Sequence, residues 1–159
     1  MGKIRADLTY LAKKIIQKIS YITIATVTPE GLPWNSPVHT SFDEHYNFYW
    51  ASWIENIHSK NIETNNNVFL VIYDSTVPAG AGFGVYLKCK AYKLTDEKEI
   101  TIALKYLYGR EGKKSRLAKE FQGNYPRRVY KAVPSKVWVN TDGRVHSNYV
   151  DKRVEIQLI

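Results

Sequence analysis

The sequence predicts a mainly antiparallel β-barrel with peripheral helices, and three observations carry that prediction. Stretches of alternating or β-branched character recur along most of the chain. Short turn signals separate them, as in Pro29-Glu30-Gly31 and Thr141-Asp142-Gly143. Only two or three segments show the three-and-four spacing of a helix, too few to cover a parallel sheet.

From Ile4 to Ile19 the residues Ile4, Leu8, Leu11, Ile15 and Ile19 recur at helical spacing, with Lys13, Lys14 and Lys18 on the other face. Such a basic amphipathic helix can lie on a membrane, but its ordinary role is to pack on its own domain. Tyr21–Thr28 (YITIATVT) reads as a buried strand, and Gly31 can take the positive φ of the turn that follows. Asp43 to His45 makes the next turn, and Tyr46–Ser52 is an aromatic strand. Asn56–Asn65 reads as a short helix and Val68–Asp74 as a strand. After the loop STVPAGAG, Phe83–Leu94 alternates as a long strand. Thr95 is the expected cap of a helix that turns Ile100, Ala103, Leu104 and Leu107 inward and stops at Gly109. Val129–Val133, Lys136–Asn140 and Arg153–Leu158 complete the strands, with residues 141–143 as a hairpin turn.

One stretch resists this pattern. GLPWNSPVHTS, residues 31–41, carries two prolines between two strand-like runs. Proline gives no ladder hydrogen bond and belongs at edges, strand starts and bulges. Regular pairing is therefore expected to break there.

At 159 residues, with 44% hydrophobic side chains, the chain makes one ordinary domain with a real core. The lone Cys89 excludes an internal disulfide and suits the cytoplasm. No signal-like N-terminus and no membrane-length apolar run is present. A formal charge of +8 favours anionic partners without choosing among nucleic acid, acidic lipid and phosphorylated small molecules. Nucleic acid is disfavoured, since neither a recognition helix nor aromatic-basic alternation accompanies the charge. The GREGKKSR stretch reads as a solvated basic loop.

Several motifs fail on spacing. GAGFG at 80–84 is not GxGxxG and leads into a strand, and Gly112-Lys113-Lys114-Ser115 lacks the earlier glycine of a P-loop. Histidines 39, 45, 58 and 146 show no metal-ligand spacing, and no serine sits in GxSxG. What remains is Ser52 at a strand end and His58-Ser59-Lys60 at the start of the short helix. Hydroxyls, a helix N-terminus and a lysine together can hold a phosphate. A capping Ser52 beside a solvated Lys60 is the plainer alternative.

ATVTPEGLPWNSPV, the aromatic strand, HSKNIETNNNVFLVIYD and LKCKAYKLTD, in this order, resemble the flavin-binding split-barrel family of pyridoxamine 5′-phosphate oxidase. The likeness runs from about Ile22 to Leu94 and resumes at Pro134 to Arg144. It implies a split β-barrel of flavin-binding type, one FMN-binding domain over 1–159, with helix 1–19 packed on the barrel. It also implies that Asn35, Ser36, Pro37 and Val38 lie along the flavin ring, their broken pairing leaving backbone groups free to face it. The family's serine-arginine-lysine at the phosphate reads His58, Ser59 and Lys60 here, so lysine is kept and arginine is missing.

The family's tryptophan that reaches the flavin from the partner subunit matches Trp138, and its substrate-binding Arg-x-His matches Arg144 and His146. Other positions depart. The family's phosphate-binding arginine and substrate lysine align with Ser36 and Ser41, a flavin-contacting glutamine with Gly84, and a further arginine with Asn148. These losses point away from pyridoxamine phosphate oxidation itself. They point to a relative with a different small-molecule substrate. The resemblance implies a cytoplasmic homodimer with FMN at the subunit interface, an oxidoreductase whose flavin carries the hydride while no side chain is an evident acid or base. A deazaflavin-binding barrel, a heme-binding barrel using His58 or His146, and a non-catalytic flavin-binding module remain alternatives.

Overall fold

The computed structural model describes residues 2–145 and 148–159. Eight strands form one antiparallel sheet that curls into a half-barrel: β1 (Tyr21–Val27), β2 (Pro33–His39), β3 (Ser41–Phe42), β4 (Phe48–Trp53), β5 (Asn67–Tyr73), β6 (Gly84–Lys93), β7 (Arg127–Val145) and β8 (Asn148–Ile156). The order across the sheet is β2-β1-β5-β6-β7-β4-β3, with β8 paired to the far end of β7. This is the split β-barrel, antiparallel and mainly β with peripheral helices, that the sequence predicts.

Three helices serve the barrel: α1 (Gly2–Lys18), α2 (Ile57–Thr64) and α3 (Glu97–Arg110). The buried stripe of α1 is Leu8, Ala12 and Ile16, flanked by half-buried Leu11, Ile15 and Ile19. Alanine and the second isoleucine of a pair are easy to miss when an apolar face is wide. These residues join the barrel interior, where Ile22, Ile24, Phe48, Trp50, Leu70, Leu87 and Tyr130 pack. A second cluster fills the space between α3 and the outer face of β4 and β7, built from Leu104, Leu107, Tyr49, Phe121 and Val129.

Four local expectations are corrected. Asp96, not Thr95, caps α3: its carboxylate accepts from the Glu99 N–H at 2.9 Å. The short acidic side chain reaches the third free N–H where a residue one position earlier lies too far out. The aromatic strand starts at Phe48 rather than Tyr46. Asp43 gathers the turn before it, accepting from the N–H groups of His45 and Asn47 and from the Tyr49 hydroxyl, and Tyr46 takes a positive φ of 58°. Strand β7 is continuous through Pro134, because the ladder with β6 skips Ser135 as a bulge. A bulge is where a strand tolerates proline. Finally, Thr141-Asp142-Gly143 is not a turn. These residues stay in β7, paired to residues 150–152 of β8, and the ladder continues to Val145 opposite Asn148.

Strand β2 also departs from expectation, and this matters for the site. Every residue from Pro33 to His39 pairs in register with β1, from Val27↔Pro33 to Tyr21↔His39, so Asn35, Ser36 and Pro37 do not break the ladder. The Thr40 N–H donates to Ser20 O and the Thr28 N–H to Leu32 O, which marks the even-numbered β2 residues as the hydrogen-bonded partners of β1. Pro33, Asn35, Pro37 and His39 therefore direct their backbone polar atoms away from β1. Since β2 is the sheet's edge, both prolines stand where no ladder donor is needed.

Candidate functional site

The free groups expected from a broken strand come instead from the edge of an intact one. The N–H groups of Asn35 and His39 and the carbonyls of Pro33, Asn35, Pro37 and His39 face the gap beyond β2. Across that gap lie β4 and the C-terminal end of α3, and between them opens a cleft of about 670 Å³. Tyr21 and His39 form one wall, Ala51 the floor, and Tyr108, Glu111 and Arg127 the other side. Alternation along each strand explains the set. Residues 21 and 39 are cross-strand partners on the outer face, and 51 and 127 lie on the outer face of β4 and β7.

Charge in the cleft is mostly internally matched. His39 Nδ1 lies 3.3 Å from Glu111 Oε1, and Lys113 Nζ lies 2.7 Å from Glu111 Oε2. The hydrogen bond from Lys113, aided by the charges of Lys113 and His39, holds the Glu111 carboxyl below the usual carboxylate range. The His39 ring meets Tyr21 edge-on at 5.1 Å. Arg127 has no such partner. Its Nε is buried and makes no hydrogen bond to any described residue, and the guanidinium rests 5.9 Å from the Phe121 ring.

The residues singled out for a phosphate occupy the first turn of α2, with mixed exposure. Ser52 is buried at the end of β4, accepting from Asn56 Nδ2 at 2.8 Å and sharing a 2.8 Å hydrogen bond with His58 Nε2. It ties down the start of α2 through side chains, while Asn56 occupies the cap position without a side-chain cap bond. His58 is buried, and burial pushes its imidazole below the ordinary value. Ser59 is 1% exposed, and its hydroxyl, like that of the buried Tyr130, has no hydrogen-bond partner among the described residues. Lys60 alone stands in solvent, 2.7 Å from Glu55. The first hydrogen-bonded N–H in this turn is that of Lys60, to Asn56 O, so the N–H groups of residues 57–59 are free for another acceptor.

On β2, Asn35 and Pro37 are exposed, Ser36 is half-buried and accepts from Trp34 Nε1 at 3.2 Å, and Val38 is buried in the barrel core. Trp138 lies half-buried on the outer face of β7, stacked on Phe69 at 6.2 Å. The ladder register puts Trp138, Tyr86, Val71, Thr23 and Pro37 in one row across five strands. At a strand spacing of about 4.8 Å, four spacings, or roughly 19 Å measured along the curled sheet, separate Trp138 from Pro37 in the same chain. Arg144 sits within β7 opposite Tyr149, rather than at the start of a returning strand, and His146 lies outside the described residues.

A flavin can be tested against these features. The edge of β2 offers alternating donors and acceptors, and the cleft beside it is large enough for a tricyclic ring. The start of α2 offers free N–H groups and one lysine for a phosphate, though Glu55 competes for that lysine. The residues fit the ring end well and the phosphate end sparsely. Cys89 takes no part in this arrangement: it lies in the barrel core, where burial pushes its thiol up to about 12. Among the described residues no three His, Cys, Asp or Glu side chains gather as a metal site, and no helix is long and apolar enough to cross a membrane.

Sequence reasoning reached β2 and the start of α2 but missed Tyr21, Glu111, Lys113 and Arg127. His39 lay inside the odd proline-containing stretch without a role attached. Its partner Glu111 comes from the far end of α3, and no local pattern signals such a pairing.

Comparison with known proteins matches this picture. The fold resembles that of protein Atu2129, of unknown function, from Agrobacterium tumefaciens str. C58 (TM-score 0.71, 16% identity), covering 90% of this chain and 60% of that one. It resembles a heme binding protein from Mycobacterium smegmatis (TM-score 0.68, 17% identity), covering 91% and 57%. It also resembles an F420 reductase (TM-score 0.57, 16% identity), covering 79% and 94%. The chain thus spans less than two thirds of the first two. No curated protein sequence matches it. The family model described as pyridoxamine 5′-phosphate oxidase matches residues 8–141, and with the half-barrel, its edge strand and its cleft in view, the chain belongs to that family.

Proposed function

We propose that the protein is a homodimeric, cytoplasmic FMN-binding oxidoreductase that passes a hydride between flavin and a small-molecule substrate. The observation that carries this reading is the free edge of β2, whose outward N–H and C=O groups face away from β1 and whose last residue, His39, lines the cleft. An isoalloxazine presents its own row of acceptors and a donor along one edge, which such a strand can match. Bound flavin would supply the hydride chemistry. The chain's part is to orient the ring along Asn35, Ser36 and Pro37, and to hold the phosphate with the free N–H groups of residues 57–59 and Lys60. Trp138 would reach the ring from a second copy, as the family's pattern implies, and it stands four strands from Pro37 along the sheet of its own chain. Arg144 and His146 are proposed as substrate contacts on the family's pattern.

The test is the visible absorption of the purified protein, with mass analysis of the molecule it releases and titration with FMN and riboflavin. FMN should bind more tightly, and Lys60→Ala should reduce that preference about tenfold, a modest effect because the lysine is exposed. Glu55→Gln should strengthen FMN binding by freeing Lys60. Equal affinity for FMN and riboflavin would refute the phosphate assignment. A Soret band would replace FMN by heme, as in the heme binding protein of similar fold, and release of a deazaflavin would point instead to the F420 reductase of similar fold.

A further inference from the structure

Cations near the cleft are almost all engaged. Lys113 is held by Glu111, Arg116 by Glu120, and Arg128 by the carbonyls of Gly123, Tyr125 and Arg127. Arg110 is spent on carbonyls at the end of α1. Arg127 differs: it lines the cleft, its Nε is shut off from water, and no described residue accepts from it. A guanidinium that is always charged and partly desolvated without an acceptor is costly to keep. The contact with Phe121 supplies only a weak attraction at 5.9 Å. The cleft is also lined by aromatic rings: Tyr21 meets His39 edge-on, and Tyr108 is among the other lining residues.

We propose that Arg127 is the anion anchor of this cleft, gripping the phosphate or carboxylate of a planar ligand that lies between the Tyr21–His39 wall and Tyr108. A guanidinium fork matches either oxyanion through two parallel N–H donors. Glu111 narrows the choice of docking point. Its carboxylate is already matched by Lys113 and lies against His39, so those groups are engaged and Arg127 is left as the place where the oxyanion docks. The oxyanion belongs to a second ligand beside the flavin or, should the start of α2 not hold the flavin's phosphate, to the flavin itself, and only that choice rests on the flavin reading.

The experiment compares wild type with Arg127→Gln and Arg127→Lys, with thermal melting to confirm folding. FMN and riboflavin are titrated into each, and phenyl phosphate and benzoate are titrated with and without flavin. A loss of tenfold or more on FMN in Arg127→Gln, with riboflavin unchanged, supports an anchor for the flavin's phosphate. A similar loss on phenyl phosphate or benzoate, with flavin affinity unchanged, supports an anchor for a second ligand. If wild type binds no flavin but loses phenyl phosphate on the substitution, the flavin reading falls and the anchor stands. Arg127→Lys keeps the charge without the fork and should fall between the two, which supplies the readout should the glutamine variant not fold. A folded Arg127→Gln that binds every probe within a factor of two of wild type overturns the proposal, as does a wild type that binds none of them.

Discussion

Arg110 shows how one side chain can join distant parts of this chain. Its Nη2 donates to the carbonyls of Ile16, Gln17 and Ile19 at 2.8–3.0 Å, where α1 ends, and its guanidinium lies 5.3 Å from the Phe42 ring. The C-terminal carbonyls of a helix lack internal partners and carry partial negative charge, so a half-buried cation there is doubly favourable. Arg110→Ala should cost on the order of 2–3 kcal/mol in urea unfolding, with Arg110→Lys recovering only part. An unchanged urea midpoint would show that water replaces the guanidinium without loss. His58 makes a second residue-scale prediction. Burial holds its imidazole below the ordinary 6.5, so the unfolded chain binds the proton more readily than the folded one. Its contribution is complete above that value and declines as pH falls through the folded-state value. Urea midpoints measured from about pH 7.5 to 5 should fall less steeply in His58→Gln than in wild type. Parallel curves would exclude His58 as the source.

At the scale of elements, the cap of α3 and the edge of β2 carry the useful tests. Asp96→Ala should destabilise by about 1 kcal/mol, whereas Thr95→Ala should be close to neutral, since only the aspartate accepts from Glu99 N. A larger effect at Thr95 would overturn the assignment of the cap. The prolines of β2 have a different task. Pro33 and Pro37 face outward on an edge strand, so each removes a donor that a foreign strand could use. By sequence both prolines look like interruptions, and proline's lack of an N–H does make them so in a central strand. On the outward side of an edge the same lack costs nothing, and whether a strand is an edge is a property of the sheet.

The whole molecule leaves one broad surface without a helix over it. Thr23, Phe69, Val71, Tyr86 and Trp138 share the outer face of four adjacent strands, all half-buried, while α3 covers only the part over β4 and β7. A half-covered apolar sheet face is a natural two-fold contact. The homodimer proposed above would use it, with Trp138 of one copy set against β2 of the other. Val71→Glu, which touches neither the cleft nor the start of α2, should yield one chain per particle in light scattering and weaken flavin binding together. A monomeric wild type that still binds flavin would remove the need for a second copy.

The amino-acid order alone determined the class of fold, the three helices, most strand positions and the family. Those features rest on periodicity, turn residues and motif order, all of which are local. It also marked residues 31–41 and 58–60 as the places where a cofactor would lie. It left open which strand is an edge, that Pro134 sits beside a bulge within one long β7, and that residues 141–143 continue a ladder rather than turn it. These depend on what pairs with what across the sheet. Only the tertiary structure turned Ser52 and Ser59 inward, left Lys60 outside beside Glu55, and set His39 against Glu111 and an unpartnered Arg127 in one cleft. Burial and charge pairing act between residues far apart in sequence, through distances that the curled sheet alone creates.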